Sequence, residues 1–252
     1  MIFVYVCSMK RAIIVGASSG LGMEVTKILL NDGWYVGIAA RRTDVLTEIK
    51  NEFPERVITA HIDVTKEDAA ASLLALISEL GGFDLYFHAS GIGSQNPSLL
   101  PEIENATVDT NVVGFTKMID AMYTYMANHG GGHIAVISSI AGTKGLGPAP
   151  SYSATKAYQS TYLQALEQLA NSQHLPVRFT DIKPGFVDTP LLKGGKYPLL
   201  MTPKYVANKI VKAIYAQRHV QVVDWRYAIL TCLWRLIPNW LWRRLVLVKG
   251  DK

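Results

Sequence analysis

Only two cysteines, Cys7 and Cys232, occur among 252 residues. Two are too few for a disulfide framework or a thiolate metal site, and such sparse usage points to a reducing, cytoplasmic compartment. Nor does the chain need staples, since a domain near this length buries roughly 75% of the surface its unfolded form exposes. The six histidines have no metal-ligand spacing, so no metal is expected. Long apolar runs are missing too. Within the apolar region 225–248 the longest uncharged stretch, Tyr227 to Trp234, is eight residues, against the ~20 that a bilayer-spanning helix requires. There is no internal repeat and no low-complexity run. Net charge is also absent over most of the chain: residues 1–224 carry 19 basic and 19 acidic side chains, while 225–252 hold six basic residues against Asp251 alone, which is the whole of the +5. Without a broad basic face, nucleic acid is excluded as a partner.

What is present begins with a rhythm. Residues 1–9 are apolar but lack the basic and long apolar regions of a signal peptide, so they read as an extension. From residue 10, short β-branched runs alternate with helix-length amphipathic stretches. The runs predict strands near 11–16, 34–40, 57–62, 83–88, 133–138, 177–182 and 219–223. The stretches predict helices at 20–31, 43–52, 66–80, 102–129, 151–171 and 203–217. Strictly alternating strands and helices give an α/β, doubly wound (Rossmann) parallel sheet of seven strands, here a single domain over 10–224 followed by an amphipathic helical tail over 225–252. Ligands of such sheets bind at the carboxyl ends of the strands.

The first strand ends in Gly16-Ala17-Ser18-Ser19-Gly20-Leu21-Gly22, opening directly onto a helix. Such a turn lets backbone approach a pyrophosphate, and the helix N-terminus adds free N–H groups and positive dipole. The second strand ends in Ala40-Arg41-Arg42, where an NAD-binding fold places an acid for the adenosine ribose. A small uncharged residue followed by two guanidinium groups suits a 2′-phosphate instead, hence NADP(H). Asp63, ahead of Val64, is placed either to receive an adenine amino group or to cap a helix starting near Thr65.

After the fifth strand come Ser138-Ser139 and, thirteen residues beyond Ser139, Tyr152-Ser153-Ala154-Thr155-Lys156. Tyr152 and Lys156 share a helical face, and an adjacent ammonium favours the phenolate that proton transfer needs. Together these residues resemble the short-chain dehydrogenase/reductase family over roughly 10–223. The resemblance implies a glycine motif of Gly16, Gly20 and Gly22, an adenine-contacting Asp63, and a tetrad of Asn111, Ser139, Tyr152 and Lys156. Ser18, Ser19, Leu21, Arg41, Arg42, Val64 and Gly91 complete the expected cofactor contacts. Pro184-Gly185-Phe186-Val187-Asp188-Thr189 resembles the family's Pro-Gly segment, in which the Val187 backbone and Thr189 hydroxyl hold the nicotinamide carboxamide. In the implied reaction Tyr152 protonates a carbonyl oxygen as NADPH delivers hydride, and Ser139 hydrogen-bonds that oxygen. Lys156 binds the nicotinamide ribose and lowers the Tyr152 pKa, and Asn111, inside the long helix 102–129, positions a water that links Lys156 to solvent. One departure stands out: where the family has Asn-Asn-Ala-Gly, this chain has His88-Ala89-Ser90-Gly91, with His88 expected as a packed core residue.

The segments 91–100, 140–150 and 190–202, which set specificity, hold many leucines, no acid, and only Lys144, Lys193 and Lys196 as cations. They suggest a small, apolar carbonyl or alcohol substrate. A catalytically silent NADP-binding scaffold of the same fold is the alternative, and a homodimer or homotetramer is the expected assembly. The tail holds 17 apolar residues among its positions 225–248, with four arginines and four of the five tryptophans. It reads in two ways. Either it packs on its own body or a subunit, or it forms two amphipathic segments hinged at Pro238 that meet an anionic membrane or close over an apolar substrate.

Overall fold

A computed structural model of the chain describes residues 10–192 and 197–245. The extension 1–9, with Cys7, and both Lys193 and Lys196 lie outside those residues.

Seven parallel strands form one sheet in the order β3-β2-β1-β4-β5-β6-β7. They are β1 (Arg11–Val15), β2 (Tyr35–Ala40), β3 (Val57–His61), β4 (Leu85–His88), β5 (Gly132–Ile137), β6 (Val177–Lys183) and β7 (Val220–Val222). The central strands are buried on both faces, as a sheet covered by helices requires, while the edge strands β3 and β7 are partly exposed. The period of two decides which layer each residue enters: in β1, Ala12 and Ile14 face one apolar cluster, and Ile13 and Val15 face the other. The first cluster is covered by α1 (Gly20–Asn31), α2 (Thr43–Glu52) and, after the sixth strand, by Pro203–Tyr215. The second is covered by α3 (Ala69–Leu80) and by the helices that follow β4 and β5. Strand order reverses between β1 and β4, which opens a crevice at their carboxyl ends.

The expected single helix over 102–129 is instead three pieces: α4 (Pro101–Val108), a π-helical segment Asp109–Gly114, and α5 (Phe115–Asn128). The wider turn spares backbone carbonyls from the i→i+4 ladder, and its end sits tight against β3's continuation. A Cβ on Gly114 would come within 2.8 Å of the Val64 carbonyl oxygen. Such bulges occur where a helix must turn a side chain and a carbonyl toward a site, and Asn111 lies in the middle of this one. The helix expected from 66 begins at Ala69, because Asp63 does not cap it. The Asp63 carboxylate accepts from the backbone N–H of Thr65 at 3.1 Å and from its hydroxyl at 2.8 Å, making a local turn ahead of α3.

The remaining helices are α6 (Pro150–Ser172), α7 (Pro203–Tyr215), α8 (Trp225–Leu236) and the short α9 (Asn239–Trp242). Pro238 separates the last two, and they lie on the body. The Tyr227 hydroxyl accepts from the Phe186 N–H at 3.1 Å and donates to the Pro198 carbonyl at 2.8 Å. The indoles of Trp234 and Trp242 donate to Thr143 Oγ1 and to the Gly145 carbonyl, each at 2.8 Å. Lys144 Nζ then caps the end of α8 through the Ile237 carbonyl at 3.0 Å and Asn239 Oδ1 at 2.8 Å. The body-packed expectation therefore holds for one face of the tail. Among the described residues, no helix is long and apolar enough to cross a membrane.

Candidate active site

At the crevice the β1–α1 turn makes a cradle that only glycine fits. Gly16 has φ +93°, and a Cβ on Gly22 would sit 2.2 Å from the Gly16 carbonyl oxygen. Ser19 makes no side-chain cap and the first turn of α1 has no acidic residue, so its N–H groups are left to an anion. The cradle opens into a cleft of about 470 Å³. Its lining brings together Gly16, Ser18, Ser19, Gly20, Leu21, Gly22, Arg41, Arg42, Asp63, Val64, Gly91 and Thr189, most of the expected cofactor contacts. Pro184, Gly185 and Val187 stand back from that lining. They are pinned by a bridge from Val187 to Met201 and by the ring of Tyr227, which a Cβ on Gly185 would strike at 2.2 Å. The Thr189 hydroxyl reaches the Val187 carbonyl at 3.4 Å.

Arg41 and Arg42 divide in role. Arg42 folds over the glycine turn, its guanidinium 3.2 Å from the Ser18 carbonyl and 3.3 Å from its hydroxyl. Arg41 stays exposed, near enough to Asp63 to favour that carboxylate's charged form. Desolvation pushes the pKa of Asp63 up, but the two Thr65 hydrogen bonds together with the charges of Arg41 and Lys66 outweigh it and leave the pKa below its usual value.

Ser138 and Ser139 follow β5, and the alternation of extended chain sends their hydroxyls to opposite sides. Ser138 turns into the protein, bonding the Asp181 carboxylate. Ser139 Oγ accepts the Ala141 N–H at 3.1 Å, which starts a 3₁₀ turn over Ile140–Thr143, and lies beside Tyr152. Burial raises the Tyr152 pKa, and the Ser139 hydroxyl, placed to donate to the phenolate, pulls it part of the way back.

Lys156 stands one turn along α6, with Nζ 5.8 Å from the centre of the Tyr152 ring. It donates to the Ile137 carbonyl and to Gln159 Oε1, both at 2.9 Å. Burial presses its pKa down to about 7; Asp181 raises it and Lys183 lowers it further. Those two form a buried ion pair at 2.6 Å on β6, and Lys183 also bonds the Ser160 hydroxyl of α6.

Asn111 is fully buried. Its side chain exchanges hydrogen bonds with the Ile92 backbone, accepting from N–H at 2.9 Å and donating to the carbonyl at 2.7 Å, with a longer bond to Thr155 at 3.2 Å. Its backbone carbonyl accepts from Gln159 Nε2 at 2.9 Å. The direct connection between Asn111 and Lys156 is thus the amide of Gln159. Sequence reasoning passed over Gln159, although positions 152, 156 and 159 make a polar stripe on one helix face. It also passed over Gly93, where a Cβ would stand 2.3 Å from the Tyr152 ring, and over the Asp181–Lys183 pair, two charges spaced by two in an apolar strand.

His88 is buried, as expected. Its Nδ1 pairs with the Tyr86 hydroxyl at 2.8 Å, its ring meets Phe115 edge-on, and Nε2 has no partner. Desolvation, with the nearby Lys156 charge, pushes its pKa down to about 3, against a weak upward pull from the Ser90 backbone.

A glycine cradle at the switch point of a parallel sheet, with its cleft and two arginines, defines a nucleotide-binding α/β protein of the Rossmann class. The chain matches the short chain dehydrogenase family over residues 10–197 and belongs to it. It is 33% identical over 240 residues to a protein of Myxococcus xanthus named an uncharacterized oxidoreductase, covering 92% of this chain and 94% of that one. A similarly named protein of Mycobacterium tuberculosis is 30% identical over 246 residues, covering 93% and 96%. A short chain dehydrogenase from Burkholderia cenocepacia, solved in complex with NADP, shares the fold at TM-score 0.82 and 21% identity, covering 94% of this chain and 98% of that one. A 3-ketoacyl-(acyl-carrier-protein) reductase from Brucella melitensis complexed with NADH has TM-score 0.75 and 25% identity, covering 85% and 96%.

Proposed function

We propose that this oxidoreductase uses NADP(H) to interconvert an uncharged, apolar carbonyl compound and its secondary alcohol. The observation that supports the reading is that Ser139, Tyr152 and Lys156 adjoin, without lining, the cleft that Arg41 and Arg42 line: Lys156 Nζ bonds the carbonyl of Ile137, which lines the cleft, and a Cβ on Gly91, also in the lining, would stand 3.5 Å from that Nζ. The cofactor fits the residues present: the Gly16–Gly22 cradle would hold the pyrophosphate, Asp63 the adenine amino group, and Lys156 the nicotinamide ribose. When bound, the nicotinamide supplies or accepts the hydride. Tyr152 then gives its proton to the carbonyl oxygen, or takes it back from the alcohol, while Ser139 holds that oxygen by a hydrogen bond. Relatives of the same fold were solved with NADP and with NADH, so preference rests on this chain's own residues. Ala40 leaves room where an acid would repel a 2′-phosphate, and two guanidinium groups suit that anion.

Two measurements on one preparation test the proposal. NADPH should raise the melting temperature more than NADH at equal concentration, and Arg41→Ala should narrow the difference. With a panel of apolar ketones, NADPH oxidation should proceed in the wild type and fall at least 100-fold in Tyr152→Phe, with NADPH binding retained. Equal stabilisation by NADH would overturn the cofactor assignment, and near-normal turnover in Tyr152→Phe the proton donor.

A further inference from the structure

Helix α8 is inside out. Its inward residues, Tyr227, Thr231 and Trp234, recur at i, i+4 and i+7; Tyr227 and Trp234 tie it to the body through hydrogen bonds, while the buried Thr231 hydroxyl donates to the Ala228 carbonyl within the helix. Its outward stripe, Trp225, Ile229, Leu233 and Leu236, recurs at the same helical spacing and is left in solvent, from 51% exposed at Ile229 to 76% at Leu236. Beyond Pro238 the surface continues through Trp240, 62% exposed, and Leu241. Scattered apolar side chains on a surface need no explanation, whereas a continuous strip of them marks a contact.

Charge says which contact. Arg226 is paired with Asp224 at 2.9 Å. Arg235, Arg243 and Arg244 are exposed and make no ion pair among the described residues. The segment 225–252 carries the protein's entire net charge of +5. A second copy docked on this face would bring like charges together, and the nearby cavity of about 710 Å³, lined by Arg235, Asn239 and residues of 142–157, includes none of the stripe's apolar side chains, so a small ligand there would leave the stripe uncovered. An anionic bilayer complements both features: its acyl boundary takes the apolar stripe and its phosphates take the guanidinium groups.

We infer that the outer face of α8 and α9 docks the protein on an anionic lipid surface. Trp225 and Trp240 sit at the headgroup level, Leu233 and Leu236 enter the acyl boundary, and the three unpaired arginines meet lipid phosphate. The inference is independent of the proposed reaction. Because Tyr227 fastens α8 to the Gly185–Phe186 segment, the test uses substitutions in the full chain and leaves the tail in place.

Full-length protein is sedimented with vesicles of phosphatidylcholine alone and with 30% phosphatidylglycerol, at low and at high salt. Binding is expected to the anionic vesicles at low salt and to weaken sharply at high salt. Arg235→Gln, Arg243→Gln and Arg244→Gln together should lower that affinity on the order of 100-fold. Leu233→Gln with Leu236→Gln should also lower it while leaving the melting temperature unchanged. Absence of binding at low salt, or equal binding to neutral vesicles, overturns the inference. So does a dimer, seen by light scattering, that the leucine substitutions dissolve, or a melting temperature that drops with them, since either would show the stripe already covered by protein.

Discussion

Lys156 owes its character to what surrounds it more than to its place in a motif. A lysine in water stays charged far above neutral pH, whereas burial brings this one to about 7. The group that should bind the cofactor is then half-titrated under ordinary conditions, and its charge favours an anionic ligand. NADPH affinity should therefore be greatest below pH 7 and weaken by up to tenfold per unit above it, until the pKa of the complex is reached. Gln159 Oε1 accepts from Lys156 and so supports the ammonium. Gln159→Leu, which nearly preserves volume, should move the onset of weakening to lower pH, and Lys156→Met should flatten the profile. Titrations between pH 6.5 and 8.5 decide this, because a flat wild-type profile would remove Lys156 as the titrating group. The sequence made the glycines, Ser139, Tyr152 and Lys156 legible because each answers a local chemical demand. Gln159 answers a demand set by a carbonyl on a different helix, Asn111, which adjacency along the chain does not reveal.

Strands and helices were readable to within a few residues because the sheet is buried on both faces, so its strands are plain apolar runs punctuated by glycine. The helix expected over 102–129 was misread, since apolar periodicity carries on through an extra backbone residue and only the freed carbonyl betrays it. That π-helical segment matters because Asn111 within it grips Ile92 on both sides of its peptide. The loop after β4 is thereby held with Gly93 flat against Tyr152. A methyl group at 93 would stand 2.3 Å from the ring and 3.0 Å from its Cγ, so the ring must move. Displacing a reacting group by about 1 Å can cost on the order of 100-fold in rate. Gly93→Ala should accordingly lower turnover by about that factor while the melting temperature and NADPH affinity stay close to wild type. Unchanged turnover would mean that the loop yields and does not position Tyr152.

The molecule as a whole buries several bases, and they bias its stability in one direction. His88 in β4 is held down to about 3 by desolvation and the charge of Lys156. His133 in the neighbouring β5 is held to about 4 by desolvation and Arg178, its Nε2 bonded to the Thr180 hydroxyl at 2.8 Å. An unfolded histidine titrates near 6.5, so between that value and 3 to 4 the unfolded chain binds protons that the native state refuses. Stability must rise with pH across that window, and equivalently fall on acidification. Lys156 acts with the same sign at higher pH, its penalty easing as the pH rises from about 7 toward the value of an unfolded lysine. Asp63 and Asp224, whose pKa values are lowered in the fold, give up their contribution only below the ordinary carboxylate range. The loss between pH 6.5 and 4 thus belongs mainly to the histidines. His88→Asn with His133→Gln removes both, and asparagine at 88 restores the residue typical of the family. Urea unfolding at pH 7.5, 6 and 5 should show wild-type stability declining step by step and the double variant declining much less. Parallel declines in the two proteins would assign acid lability to other groups.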